Sequence, residues 1–300
     1  MRVLSAIPHW RDYLTLCKPK VVALMMITAW VGMLLSTPPN TFPFATIFFA
    51  SLGIAFCASS AAAMNHLIER HIDEKMQRTK FRPLVLGKLT TPQTLRFSFL
   101  LGLSGLVLLI IQVNALTAWL TLLSLVGYAF VYTVYLKKAT PQNIVIGGIT
   151  GALPPLLGQT AMTGTIEPMG LLLALIIFTW TPPHFWALAI FRIQDYKKNP
   201  LPMLPVTHGI PFTKLSILLY TILLTVVTFL PPLLGLAGVI YTLTLVGLNL
   251  GFFYYVFKLY TSQDPLVAWR LFQYSILYLF ALFIVLLIEH YLFFILKSLG

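Results

Sequence analysis

Charge is what this 300-residue chain has least of: Asp, Glu, Lys and Arg make up 9% of it, against about 25% in an ordinary soluble domain. With 58% hydrophobic residues and so few charges it cannot stay dispersed in water, which excludes the soluble classes. Acids are scarcer still, 8 Asp and Glu beside 20 Lys and Arg. Cysteine is nearly absent, and Cys17 and Cys57 suggest no disulfide framework. Residues 1–20 show neither the apolar core of a signal peptide nor the Arg- and Ser-rich character of a transit peptide. A bacterial inner membrane is the simplest home.

Long apolar runs are what the chain does have. A Lys, Arg or Asp at the centre of a membrane helix costs roughly 2.5–3.5 kcal/mol, so spans fall where charge is missing. The charge-free intervals are 21–68, 97–136, 139–166, 168–191, 215–257 and 271–288. At about 20 apolar residues per span they hold two, two, one, one, two and one helices. The expected fold is therefore all-α and polytopic, about nine transmembrane helices around a central chamber, in one domain over residues 1–300. Turn signals divide the double-length runs at Thr37-Pro38-Pro39-Asn40, Gln112-Val113-Asn114, and Pro231-Pro232 followed by Gly235.

Threading these spans puts 19 of the 20 basic residues on one face of the bilayer. By the positive-inside rule that face is the cytoplasm, with the amino terminus inside and the carboxyl terminus, carrying Lys297, in the periplasm. Topology and the lipid bilayer account for most of the net charge of +12, and no nucleic-acid partner is needed to explain it.

Two cytoplasmic loops, 69–96 and 192–214, carry more than topology requires, and they form the polar cap of the expected site. At the start of the first, Asn65, Glu69 and Asp73 are spaced i, i+4, i+8 and stack on one face of a helix. Oxygen ligands on such a ladder suit Mg2+, which is commonly shared between one or two carboxylates and substrate phosphates. Lys75, Arg78, Lys80 and Arg82 follow, a cluster suited to phosphate oxygens. Two readings fit this spacing: a metal-and-anion site, or a solvated strip whose charges neutralise one another and touch anionic headgroups. The ladder favours the first.

The second loop repeats the order of chemical types in part, with Arg192 and Asp195, then Lys197 and Lys198, then a Pro-rich turn. Asp73 and Asp195 lie 122 residues apart, which hints at two halves facing one pocket without amounting to a repeat. Upstream, Thr181-Pro182-Pro183-His184-Phe185-Trp186 is expected to break the sixth helix, as a cavity-lining segment can. His184 there could ligate iron, donate a proton, or bond a carbonyl freed by the break. Gly147-Gly148, Gly151 and Pro154-Pro155 interrupt the fifth helix similarly, after Tyr132-Thr133 and Lys137-Lys138, and their glycines allow close helix packing.

At these residues the chain resembles the intramembrane polyprenyl transferases of the UbiA type, and within them the subfamily that farnesylates haem. The superfamily marks are an Asn/Asp-x-x-x-Asp-x-x-x-Asp ladder after the second helix and an Asp-containing motif after the sixth. Asn65, Glu69, Asp73 and Asp195 occupy those places. The subfamily blocks are Asp73-x-x-Met76-x-Arg78-Thr79-x-x-Arg82-Pro83-Leu84, Thr140-Pro141-x-Asn143, Pro182-Pro183-His184-Phe185-Trp186, and Asp195-Tyr196 followed by Pro202-Met203-Leu204-Pro205. They run in order over residues 65–206. Two departures stand out: Glu69 replaces the usual Asp, and Asn199 stands four residues after Asp195 where a second acid is common.

The resemblance implies farnesyl diphosphate and haem b as substrates, and haem O as product for terminal oxidases. It implies Mg2+ on Asn65, Glu69, Asp73 and Asp195. Diphosphate would meet Lys75, Arg78, Arg82, Lys137, Arg192 and Lys197; Tyr132 and Trp186 would line the chamber, and His184 would touch haem. It leaves room for self-association or for contact with haem A synthase and the terminal oxidase pathway. Two other functions compete: prenylation of another acceptor such as hydroxybenzoate, and transport. Against transport, the spans carry no charge except Glu289, whereas coupled transporters usually hold intramembrane ionisable groups.

Overall fold

The computed structural model describes residues 9–38, 40–74, 79–136, 139–197 and 202–299. Every regular element among them is helical. Eight helices are long and apolar enough to cross a membrane, and a ninth is reached when one bent pair counts as a span. That pair is α1 (Trp10–Leu16) and α2 (Pro19–Leu35), set at 52°. The bend falls at Lys18, whose φ of 48° is left-handed, with Pro19 opening α2. Then come α3 (Phe44–Asp73), α4 (Thr91–Gln112) and α5 (Ala115–Val126), which runs on into a π-helical stretch, Gly127–Leu136. The order continues with α6 (Asn143–Ala152), α7 (Pro154–Thr163), α8 (Pro168–Phe191), the short α9 (Ile193–Lys197) and α10 (Leu204–Thr207), α11 (Gly209–Thr228), α12 (Leu230–Leu233), α13 (Val239–Thr261) and α14 (Pro265–Leu299).

Each charge-free interval thus holds the number of spans expected of it. Backbone approach sets how tightly they pack. A Cβ on Gly32 of α2 would strike the Pro155 carbonyl of α7, and one on Gly158 of α7 would strike the Ala29 carbonyl of α2. Small residues permit such approach in lipid, where dispersion contacts replace the hydrophobic effect as the force between helices. One apolar cluster fills the space around α2, α3 and α7 through Ala29, Met33, Ile54 and Leu157. A larger one joins α8, α11, α13 and α14 through Leu173, Trp186, Leu224, Phe252 and Tyr278.

Two expectations about helix continuity resolve differently. The fifth span does divide, at Leu153 between α6 and α7. The sixth does not: α8 runs through Pro182 and Pro183 without a break. Two prolines remove two amide donors, but both are buried, and packing against α11 and α14 holds the turn. The Thr179 and Thr181 hydroxyls donate to carbonyls of the turn before, those of Leu175 and Ile177. Glu289 of α14 accepts from the Gly238 and Ile240 amides at 2.6 and 2.8 Å and so caps α13.

Candidate active site

The acidic ladder sits on the last two turns of α3, which continues to Asp73 rather than stopping at the first charge. Asn65, Glu69 and Asp73 are only 2, 6 and 3% exposed. Burying two carboxylates and an amide costs several kcal/mol unless partners compensate, and at Asn65 and Asp73 the partners include cations. Lys18 Nζ donates to Asn65 Oδ1 at 2.5 Å. Arg82 Nη1 donates to Asp73 Oδ2, also at 2.5 Å. The Thr79 hydroxyl donates to the Asp73 carbonyl at 3.1 Å, tying Thr79 to the helix end.

The π-helical stretch supplies the facing wall. Asn65 Nδ2 donates to Thr133 Oγ1 at 3.3 Å, and that hydroxyl donates to the Tyr128 carbonyl five residues back at 2.8 Å. Widened turns of this kind often mark functional sites. Tyr132 lies within electrostatic reach of both Glu69 and Tyr196. Gly147 of α6 makes room for this, since a Cβ there would collide with the Tyr132 ring. Asp195 is exposed on α9, as is Lys197, and Arg192 closes the end of α8 half-buried. Lys75, Arg78 and Lys137 lie outside the described residues.

His184 and Trp186 make their contacts elsewhere. His184 Nδ1 lies 2.7 Å from Ser275 Oγ of α14, and its ring stacks between Trp180 and Phe272 at 4.1 and 4.5 Å. It bonds a hydroxyl on a neighbouring helix rather than a freed carbonyl. Trp186 is buried edge-on against Tyr220 of α11. The sequence assigns no site role to Lys18, Thr133 or Tyr196. Lys18-Pro19 at the opening of an apolar run, and Tyr196 beside Asp195, were the available signals.

Among the described residues no three His, Cys, Asp or Glu side chains converge to hold an ion alone. The donor set nevertheless fits a hard divalent cation that shares its coordination with phosphate. Its oxygens already attract cationic groups, an ammonium on Asn65 and a guanidinium on Asp73, which stand in for the ion's charge.

The model of the UbiA prenyltransferase family matches residues 25–292. The chain belongs to that family. Among its relatives, the protoheme IX farnesyltransferase of Legionella pneumophila (strain Paris) is 56% identical over 282 residues, covering 94% of this chain and 96% of the relative. That of Teredinibacter turnerae is 54% identical over 291 residues, covering 97% and 93%. Two solved structures share the UbiA fold at 18% identity. A digeranylgeranylglyceryl phosphate synthase superposes with a TM-score of 0.81 over 94% of this chain and 98% of its own. A UbiA homolog from Archaeoglobus fulgidus, bound to DMAPP and Mg2+, gives 0.69 over 92% and 99%. As a multi-pass UbiA prenyltransferase, this protein carries its buried carboxylates at the end of one span, with basic side chains closed over them.

Proposed function

We propose that this prenyltransferase moves the farnesyl group of farnesyl diphosphate onto a vinyl group of haem b, with addition of water, to give haem O. The observation that carries the reading is the buried oxygen ladder of α3 closed by Lys18 and Arg82. Carboxylates suit a metal, cations suit an anion, and a metal diphosphate needs both. Support for haem as acceptor comes from relatives of that name aligned over nearly the whole chain. The Mg2+ in the Archaeoglobus homolog supports the choice of ion.

When bound, Mg2+ supplies Lewis-acid help to diphosphate departure. Asn65, Glu69 and Asp73 would hold the ion, with Asp195 of the loop after α8 as a further ligand. Arg82, and with it Lys75, Arg78, Lys137, Arg192 and Lys197, neutralise the charge that builds on the leaving oxygens. The C1–O bond breaks with its electron pair on diphosphate, and the vinyl π pair forms the new carbon–carbon bond. Water then adds to the cation beside the pyrrole and loses a proton, so no strong base is required. The Tyr132 ring face stabilises the allylic cation, and the apolar walls keep water from reaching it early. A haem contact through His184 is confined to Nε2, since Nδ1 is committed to Ser275.

The one-sided basic charge supports a rim that faces the cytoplasm from a bacterial inner membrane. The test is to incubate membranes holding the protein with farnesyl diphosphate, Mg2+, haem b and 4-hydroxybenzoate together, then measure both masses. Haem b should gain the mass of one farnesyl group and one hydroxyl, its vinyl becoming a hydroxyethylfarnesyl side chain, while the aromatic acid stays unchanged. A prenylated acid beside unchanged haem would overturn the acceptor.

A further inference from the structure

His66 belongs to none of the roles above. It sits on α3 directly after Asn65 and is 3% exposed. Neither Nδ1 nor Nε2 has a hydrogen-bond partner. An orphaned donor and acceptor in one buried ring cost free energy, which a native structure tolerates chiefly where something else completes them.

Position says what that is. At about 100° per residue, His66 projects within about 20° of Asp73, about 60° of Glu69 and about 100° of Asn65, so it lies at the Asp73 edge of the ladder's face. The opposite face of α3 is occupied by α4, where Ser60 bonds the Ser98 carbonyl and a Cβ on Gly105 would meet Cys57. Among the described residues, the charged groups in electrostatic range of the ring are Arg82 and Lys18, the two cations that close the ladder. A buried ring with an unpartnered N–H, in electrostatic range of two cations and turned toward two carboxylates, is completed by an anion carried on a metal.

We infer that His66 is a diphosphate-binding residue, its N–H donating to a diphosphate oxygen alongside Arg82 and Lys18. The inference rests on the ladder being the Mg2+–diphosphate site. It extends that site by one side chain whose bond is made only when substrate is present.

Loss of one hydrogen bond to a charged group should weaken binding about tenfold or more. His66→Phe and His66→Leu remove both nitrogens; His66→Gln keeps an N–H at similar reach. The probe is farnesyl thiolodiphosphate, which resists cleavage, titrated with Mg2+ onto the full-length protein in detergent, with thermal midpoints taken alongside. The expected result is weaker binding in the Phe and Leu variants, midpoints unchanged or raised because an orphaned polar group has gone, and recovery in His66→Gln. In turnover, KM for farnesyl diphosphate should rise with KM for haem unmoved. Unchanged probe affinity in His66→Phe and His66→Leu overturns the inference, as does a loss that tracks a lowered midpoint in both. A change in the haem absorption spectrum in place of probe affinity overturns it in favour of iron ligation. Wild-type protein that binds the probe no better with Mg2+ overturns the ladder reading itself, a result separable from the variants.

Discussion

Glu69 separates a metal ligand from a passive charge more sharply than any other residue. Its superfamily counterpart is Asp, one methylene shorter, so Glu69→Asp should keep turnover within about tenfold, while Glu69→Gln, which keeps length and loses charge, should fall by about a hundredfold or more. Asp73→Ala should fall as far while the protein still inserts, because α3 is anchored by its packing on α4. Steady-state rates on membranes with matched protein levels decide both, and normal turnover in either Glu69→Gln or Asp73→Ala removes that residue from the site. At this scale the ladder was legible from spacing alone: an i, i+4, i+8 set of oxygen ligands beside Arg and Lys has few other uses at a membrane boundary. Lys18 was not legible, because its role depends on a bend that brings it to Asn65 across 47 residues of sequence. His184 was half legible. Its burial follows from an apolar helix, but Ser275, its partner, lies 91 residues on.

Elements were legible where composition decides and obscure where packing does. The number and order of spans follow from an insertion cost that adds residue by residue. A continuous α8 across Pro182-Pro183 does not, because proline's local cost is overridden by neighbours on both sides. The π-helical stretch Gly127–Leu136 also left no mark, since a uniformly apolar run has no period to read. This stretch makes the most testable element of the fold. Gly147→Ala would drive a Cβ into the Tyr132 ring, whereas Gly151→Ala on the same helix meets nothing within 4 Å. Overpacking costs typically about 1–3 kcal/mol, so Gly147→Ala should lower the thermal midpoint and raise KM for farnesyl diphosphate. Gly151→Ala should do neither. Equal behaviour of the two variants would show that Tyr132 is not held by α6.

For the whole molecule, the distribution of charge joins topology to chemistry. Farnesyl chains dissolve in lipid and diphosphates do not, so the reaction belongs where an apolar interior opens on a charged rim. Among the described residues, the buried carboxylates at such a rim are those at the end of α3. Glu289, the other carboxylate within a span, is taken up by the N-terminus of α13. The central claim is that this rim is a Mg2+-dependent diphosphate site facing the cytoplasm. Sealed inverted vesicles, loaded with haem b and given farnesyl diphosphate outside, test it by the mass of the haem recovered with external Mg2+ or with EDTA. The account predicts haem O with Mg2+ and unchanged haem b with EDTA; haem O formed equally in both, or in neither, would contradict it.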